Sequence, residues 1–118
     1  MYLLIATRPD ITFAVNQASR YLEKPTTTHW KAVKRILKYL KGTINHGLQF
    51  KCDQKKELLA YSDADYAGDL QTRRSTMGYA LRFASRTISW NSQRQQVVAL
   101  STTDAEYMAA CQTAKEIV

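Results

Sequence analysis

The sequence predicts an α/β protein: three antiparallel strands and one helix in its second part, preceded by a basic helical pair. Three observations predict this. Residues 1–56 hold eleven Lys and Arg against three acids, a balance of +8, whereas residues 57–118 hold six against seven, a balance of −1. In the first part apolar residues recur at helical spacing, and in the second they alternate at strand spacing. Different electrostatic tasks in the two parts argue for two structural units, 1–56 and 57–118.

The totals bound the answer. At 118 residues the chain is one ordinary domain, or a small domain plus part of another. The net charge of +7 suggests a polyanionic partner. No run of eighteen apolar residues is present, so no membrane helix is expected. The opening Met1-Tyr2-Leu3-Leu4-Ile5-Ala6 lacks the basic start of a signal peptide, and an intracellular setting is the expectation. Cys52 and Cys111 stand far apart with no metal spacing and read as reduced structural thiols.

In the basic part, Tyr2 to Ala6 is too short to classify. Thr7-Arg8-Pro9-Asp10 reads as a helix start, with Thr7 as cap, Pro9 in the first turn and Asp10 near the positive end of the dipole. Ile11, Ala14, Val15, Ala18 and Leu22 continue that helix until Glu23-Lys24-Pro25 ends it. Thr26-Thr27-Thr28 opens a second helix that runs to Lys41, with Gly42 as its stop. Trp30, Val33, Ile36, Leu37 and Leu40 form its apolar stripe, and Lys31, Lys34, Arg35, Lys38 and Lys41 its other face. A solvated face usually mixes Glu with Lys to gain i,i+4 pairs. This one carries no acid and reads as a phosphate-tracking face. A short strand, Leu48-Gln49-Phe50, and a polar linker, Cys52-Asp53-Gln54-Lys55-Lys56, follow. His29 and His46 have no partner at ligand spacing and read as structural or exposed.

In the second part, Leu58 to Asp63 is the first strand and Asp69 to Arg74 a polar turn. Ser75 to Phe83 alternates, with Met77, Tyr79, Leu81 and Phe83 on one face, and is the second strand. Ala84-Ser85 makes a hairpin turn, Arg86 to Trp90 returns as the third strand, and Asn91 to Gln96 is a polar connection. The helix starts at Ser101 with Asp104 as its capping-box partner and runs towards Val118. Glu106 shares a face with Ala109, Ala110, Thr113 and Ile117, so its carboxylate is expected to point towards the sheet.

The chemistry gathers at Tyr61-Ser62-Asp63-Ala64-Asp65-Tyr66-Ala67-Gly68-Asp69, where three carboxylates fall within seven residues at a strand end. Their mutual repulsion calls for a cation or a basic partner. An acidic turn that merely ends the strand is the simpler reading.

These residues resemble the ribonuclease H domain of copia-type retrotransposon polyproteins, with the end of the reverse transcriptase in front of it. Tyr61 to Asp69 is similar to that domain's first strand, Arg74-Ser75-Thr76-Met77-Gly78-Tyr79 to its second, and Ile88-Ser89-Trp90-Asn91-Ser92 to its third. Val98-Ala99-Leu100-Ser101-Thr102-Thr103-Asp104-Ala105-Glu106-Tyr107-Met108-Ala109 is similar to its first helix. Upstream, Thr7-Arg8-Pro9-Asp10-Ile11 and the stretch from His29 to Thr43 resemble the helices that close the polymerase. The resemblance implies an incomplete ribonuclease H-like mixed sheet. It places metal-binding carboxylates at Asp63 and Glu106, with Asp65 as a neighbouring acid. The family's third carboxylate sits on a fourth strand, which the residues through Val118 do not include. The activity implied is hydrolysis of RNA in RNA–DNA hybrids with Mg2+ or Mn2+, impaired by truncation. The basic helix would hold phosphates, and Arg73 and Arg74 would either do so or neutralise Asp69.

The expected partners are therefore an RNA–DNA hybrid or duplex and, because a three-stranded sheet leaves an unpaired edge, a second copy or another chain. The alternatives are a non-catalytic nucleic-acid-binding remnant and a protein-interaction module that acts as an oligomer.

Overall fold

A computed structural model describes residues 2–50 and 57–118 of the chain. It divides into two compact units, residues 1–49 and 50–118. The linker expected at Cys52–Lys56 lies outside the described residues.

The first unit is helical. Helix α1 spans Tyr2–Ala6, a 3-10 turn spans Pro9–Ile11, α2 spans Thr12–Ser19 and α3 spans Thr27–Gly42. The unclassified opening stretch is thus a helix, and Thr7 closes it rather than capping the next. Its amide and hydroxyl both donate to the Leu3 carbonyl, at 3.0 and 3.4 Å. Pro9 then sets the 3-10 turn, whose cap position is Arg8. Helix α2 ends at Ser19, three residues before Leu22. There the Ser19 hydroxyl donates to the Asn16 carbonyl at 2.7 Å, and the Arg20 and Tyr21 amides bond three residues back. The Tyr21 ring stacks instead on His29, with centroids 4.0 Å apart.

Helix α3 begins where the threonines place it. Thr26 is the cap, its hydroxyl accepting from the His29 amide while the His29 Nδ1 accepts from the Thr26 amide. His29 is therefore structural. Gly42 is the last helical residue rather than the stop, and Thr43 caps the end. Leu48–Phe50 forms no strand. The described part of this unit is helical and offers no strand to pair with, and an unpaired strand leaves its backbone groups unsatisfied.

The second unit is a three-stranded antiparallel sheet in the order β1-β2-β3, with β1 at Leu58–Asp65, β2 at Thr76–Phe83 and β3 at Arg86–Arg94, followed by α4 at Thr102–Ile117. The sheet outruns its expected limits. Asn91 to Arg94 read as a polar connection, yet they pair with Tyr79 to Thr76. The ladder on β2 overrides their low strand propensity. A bulge interrupts the register of β2 and β3 at Leu81/Arg82. Ala84 and Ser85 make the hairpin turn with φ of 48° and 63°. Both are positive, as a type I′ turn requires, although neither residue is the Asn or Gly that favours it.

Helix α4 starts at Ser101, whose hydroxyl accepts from the Asp104 amide at 3.1 Å. The Asp104 carboxylate accepts from the Leu100 amide, one residue ahead of the cap. Ala105, Ala109 and Thr113, four residues apart, form the buried face of α4. Their small side chains let the helix lie close to the strands. Leu81 is the buried member of the expected β2 face, and Met77 and Tyr79 are half-buried. Met77 and Met108 line one cavity, and Tyr79 lies beside Glu116, so α4 covers this face.

Candidate nucleic-acid interface and carboxylate site

Helix α3 displays its cations as the spacing predicts. Lys31, Lys34, Arg35, Lys38 and Lys41 are all exposed. Among the described residues none of the five is paired with an acid. Lys31 and Lys41 are ten residues apart, so the row is about 15 Å long. The apolar stripe behaves less uniformly. Val33, Ile36 and Leu40 are half-buried, but Trp30 is 59% exposed and Leu37 57%. Trp30 and Leu37, expected in the packed stripe, thus meet water instead. At 100° per residue Lys41 and Lys34 fall within about 40° of Trp30 on the wheel, at the margin of the basic face.

Arg8 is the other residue the sequence concealed. It is 5% exposed. Its Nε and one terminal nitrogen donate to the two Asp10 oxygens at 3.0 and 2.8 Å. The other terminal nitrogen donates to the Thr43 carbonyl at 3.0 Å, while the nitrogen that meets Asp10 also donates to the Thr43 hydroxyl at 2.7 Å. The guanidinium lies over the Tyr39 ring, and the Tyr39 hydroxyl donates to Asp10 at 2.8 Å. The Arg8 fork lowers the Asp10 pKa to about 2. These bonds tie the 3-10 turn to the end of α3. Arg8, Asp10 and Tyr39 line a cleft of about 660 Å³, but the donors of Arg8 are already engaged. A Pro flanked by Arg and Asp was the only signal available.

In the second unit Asp63 and Asp65 lie on β1, in register with Gly78 and Thr76. Strand alternation puts them on the sheet face opposite Met77, Tyr79 and Leu81. Both are exposed. Glu106 is exposed as well, which corrects the expectation that it points to the sheet. It stands about 100° around α4 from Ala105, which takes the inward position. Among the described residues no three His, Cys, Asp or Glu side chains gather at metal-binding spacing. Asp63, Asp65 and Glu106 as placed therefore do not form a complete magnesium cage.

Asp69 has a different task. Its Oδ1 accepts from the Gln71 and Thr72 amides at 3.0 and 3.1 Å, and its Oδ2 accepts from Arg94 at 2.6 Å. Arg94 and these amides hold the Asp69 carboxyl well below the usual carboxylate range. Arg94 is in register with Thr76, which is in register with Asp65. The acidic strand end thus receives a basic partner from β3, not foreseen because Arg94 lies twenty-five residues on. Arg73 is exposed in the turn with φ of 55°, and Arg74 is half-buried with its carbonyl accepting from the Asp69 amide at 3.2 Å.

No helix among the described residues is long and apolar enough to cross a membrane. No family model matches the chain, and no solved structure matches it. Curated relatives do. The chain is 46% identical over 118 residues to the secreted RxLR effector protein 161 of Plasmopara viticola, a match that covers all of this chain and 83% of that protein. It is 50% identical over 118 residues to the retrovirus-related Pol polyprotein from transposon TNT 1-94 of Nicotiana tabacum, covering all of this chain and 9% of the polyprotein. It is 46% identical over 114 residues to the Pol polyprotein from transposon RE2 of Arabidopsis thaliana, covering 97% of this chain and 8% of the polyprotein. The chain belongs to the family that includes the Plasmopara viticola effector, and along 97% or more of its length it is similar to a short segment of the retrovirus-related Pol polyproteins from transposons.

Proposed function

We propose that the chain is a nucleic-acid-binding segment of the retrotransposon Pol type, spanning the end of a reverse transcriptase and the beginning of a ribonuclease H-like domain. One observation carries the binding reading: five exposed cations on α3 with no acidic partner among the described residues. Such a face costs self-repulsion in the free protein, and a row of phosphates relieves it. The contacts are to backbone, so they position the nucleic acid without reading its bases.

Hydrolysis is the second reading. Asp63 and Asp65 share one face of β1, and Glu106 is exposed at the first turns of α4. These carboxylates would be part of a site for Mg2+ or Mn2+, which supplies the activated water when bound. Further donors have to come from outside the described residues. Association with a second copy would suit the exposed Leu58, Leu59 and Tyr61 of β1.

The test is fluorescence anisotropy of a labelled RNA–DNA hybrid at 50 and 200 mM salt. Five phosphate contacts predict a fall in affinity of about 500-fold over that range. The Lys34→Glu, Lys38→Glu variant is expected to abolish binding. Affinity that is independent of salt overturns the proposal. The same hybrid incubated with magnesium reports cleavage, which Asp63→Asn is expected to remove if this chain hydrolyses RNA.

A further inference from the structure

The exposed Trp30 asks for an occupant. An indole buries much apolar area when covered, and here more than half of it meets water. Its place on α3 limits what can cover it. On the helical wheel Trp30, Lys34, Leu37 and Lys41 fall within one narrow sector, and Lys38 and Lys31 stand beside it. A ligand lying on the ring therefore meets two or more ammonium groups within a turn or two of helix. A neutral apolar partner would desolvate those ammonium groups without compensation. A ligand with a flat apolar face and anionic charge at regular intervals meets both demands.

We infer that Trp30 is a stacking platform for an unpaired base, with Lys34, Lys38 and Lys41 following the phosphates of the same strand. This rests on the backbone-binding reading of α3 and adds the ligand class: single-stranded nucleic acid, preferred over duplex. In a duplex the base faces are already stacked on one another, so the indole gains nothing. In a single strand each base offers a free face, and stacking is tolerant of sequence. Leu37, two turns along the same sector and 57% exposed, extends the apolar strip on which a second base can rest.

The test uses the full chain with two labelled probes, a thymidine dodecanucleotide and a twelve-base-pair DNA duplex, in fluorescence anisotropy titrations. The wild type is expected to bind the single strand more tightly than the duplex. Trp30→Ala is expected to weaken the single strand by roughly 5- to 150-fold and leave the duplex within twofold. Trp30→Phe should recover most of the loss. Because Trp30 is exposed, far-ultraviolet circular dichroism of both variants should match the wild type. Lys34→Ala, Lys38→Ala should weaken both probes. If Trp30→Ala leaves the single strand within twofold while the lysine variant weakens both probes, the stacking platform is refuted and the backbone face stands. If neither probe binds in a salt-dependent way, both readings fall.

Discussion

The pairing of Asp69 with Arg94 sets the second unit's most specific expectation. At an N–O distance of 2.6 Å the two charge centres are about 4 Å apart, worth about 4 kcal/mol gross at an effective dielectric of 20. Arg94 is 35% exposed, so water screens part of this, while the Asp69 side chain is only 9% exposed. A charge-assisted hydrogen bond contributes about 1.5–3 kcal/mol net. We expect a coupling of about 2 kcal/mol. Arg94→Gln should cost about 2 kcal/mol. Asp69→Asn should cost about 2–3 kcal/mol, because it also weakens the acceptor for the Gln71 and Thr72 amides. The double variant should cost about 3 kcal/mol rather than the sum. Urea denaturation in a Trp30→Phe background assays this, since Trp90 on β3 then reports the second unit alone. Acid gives an independent check. The folded pKa of Asp69 is depressed, so its contribution is present above about pH 4 and is lost as pH falls further. Asp69→Asn should therefore flatten the acid limb. Additivity within about 0.5 kcal/mol would refute the argument, because the turn would then hold without the ion pair.

Three further outcomes are expected. Ala84→Asn with Ser85→Gly places in the hairpin turn the residues its positive φ values favour, and should stabilise by about 1–2 kcal/mol in the same denaturation assay. In the first unit, the Asp10 pKa of about 2 implies stability that is full above about pH 4 and lost as pH falls towards 2. Asp10 is 36% exposed, so after solvent screening this amounts to about 1 kcal/mol, and Asp10→Asn should remove the acid dependence seen by circular dichroism. A Cβ at Gly68 would meet the Asp65 carboxylate, which can rotate away, and Gly68 does not have positive φ. Gly68→Ala should therefore cost less than about 1 kcal/mol while moving Asp65, a shift visible in the carboxyl resonances by NMR.

Local periodicity made most of the fold legible. The alternation through Met77, Tyr79 and Leu81 marked β2, and the threonines before α3 and Ser101 before α4 marked the helix starts. What escaped was set by groups distant in sequence. Asn91 to Arg94 join β3 only because β2 offers a ladder. Leu48 to Phe50, more strand-like by composition, join no sheet among the described residues. At the candidate sites the same division holds. The cations of α3 were legible because exposure follows from one helix face, and Glu106 was misjudged because two neighbouring positions on a helix differ by about 100°.

The acidic strand end shows what such a misjudgement means for function. Three carboxylates in seven residues raise a demand for positive charge that sequence cannot divide between an ion and a side chain. The fold divides it. Asp69 is satisfied by Arg94 and two backbone amides, which takes it out of any metal site and makes it the anchor of the turn. Asp63 and Asp65 remain exposed on the open face of β1. An ion bound there would have to be held by these two carboxylates and by water, with Glu106 joining only if its exposed side chain turns towards them. Hard cations bind weakly to so few protein oxygens. Asp63→Asn should thus change the stability of the second unit by less than about 0.5 kcal/mol at pH 7, whereas Asp69→Asn destabilises it. A larger loss for Asp63→Asn would mean that this carboxylate, too, is held by the fold rather than left open for an ion.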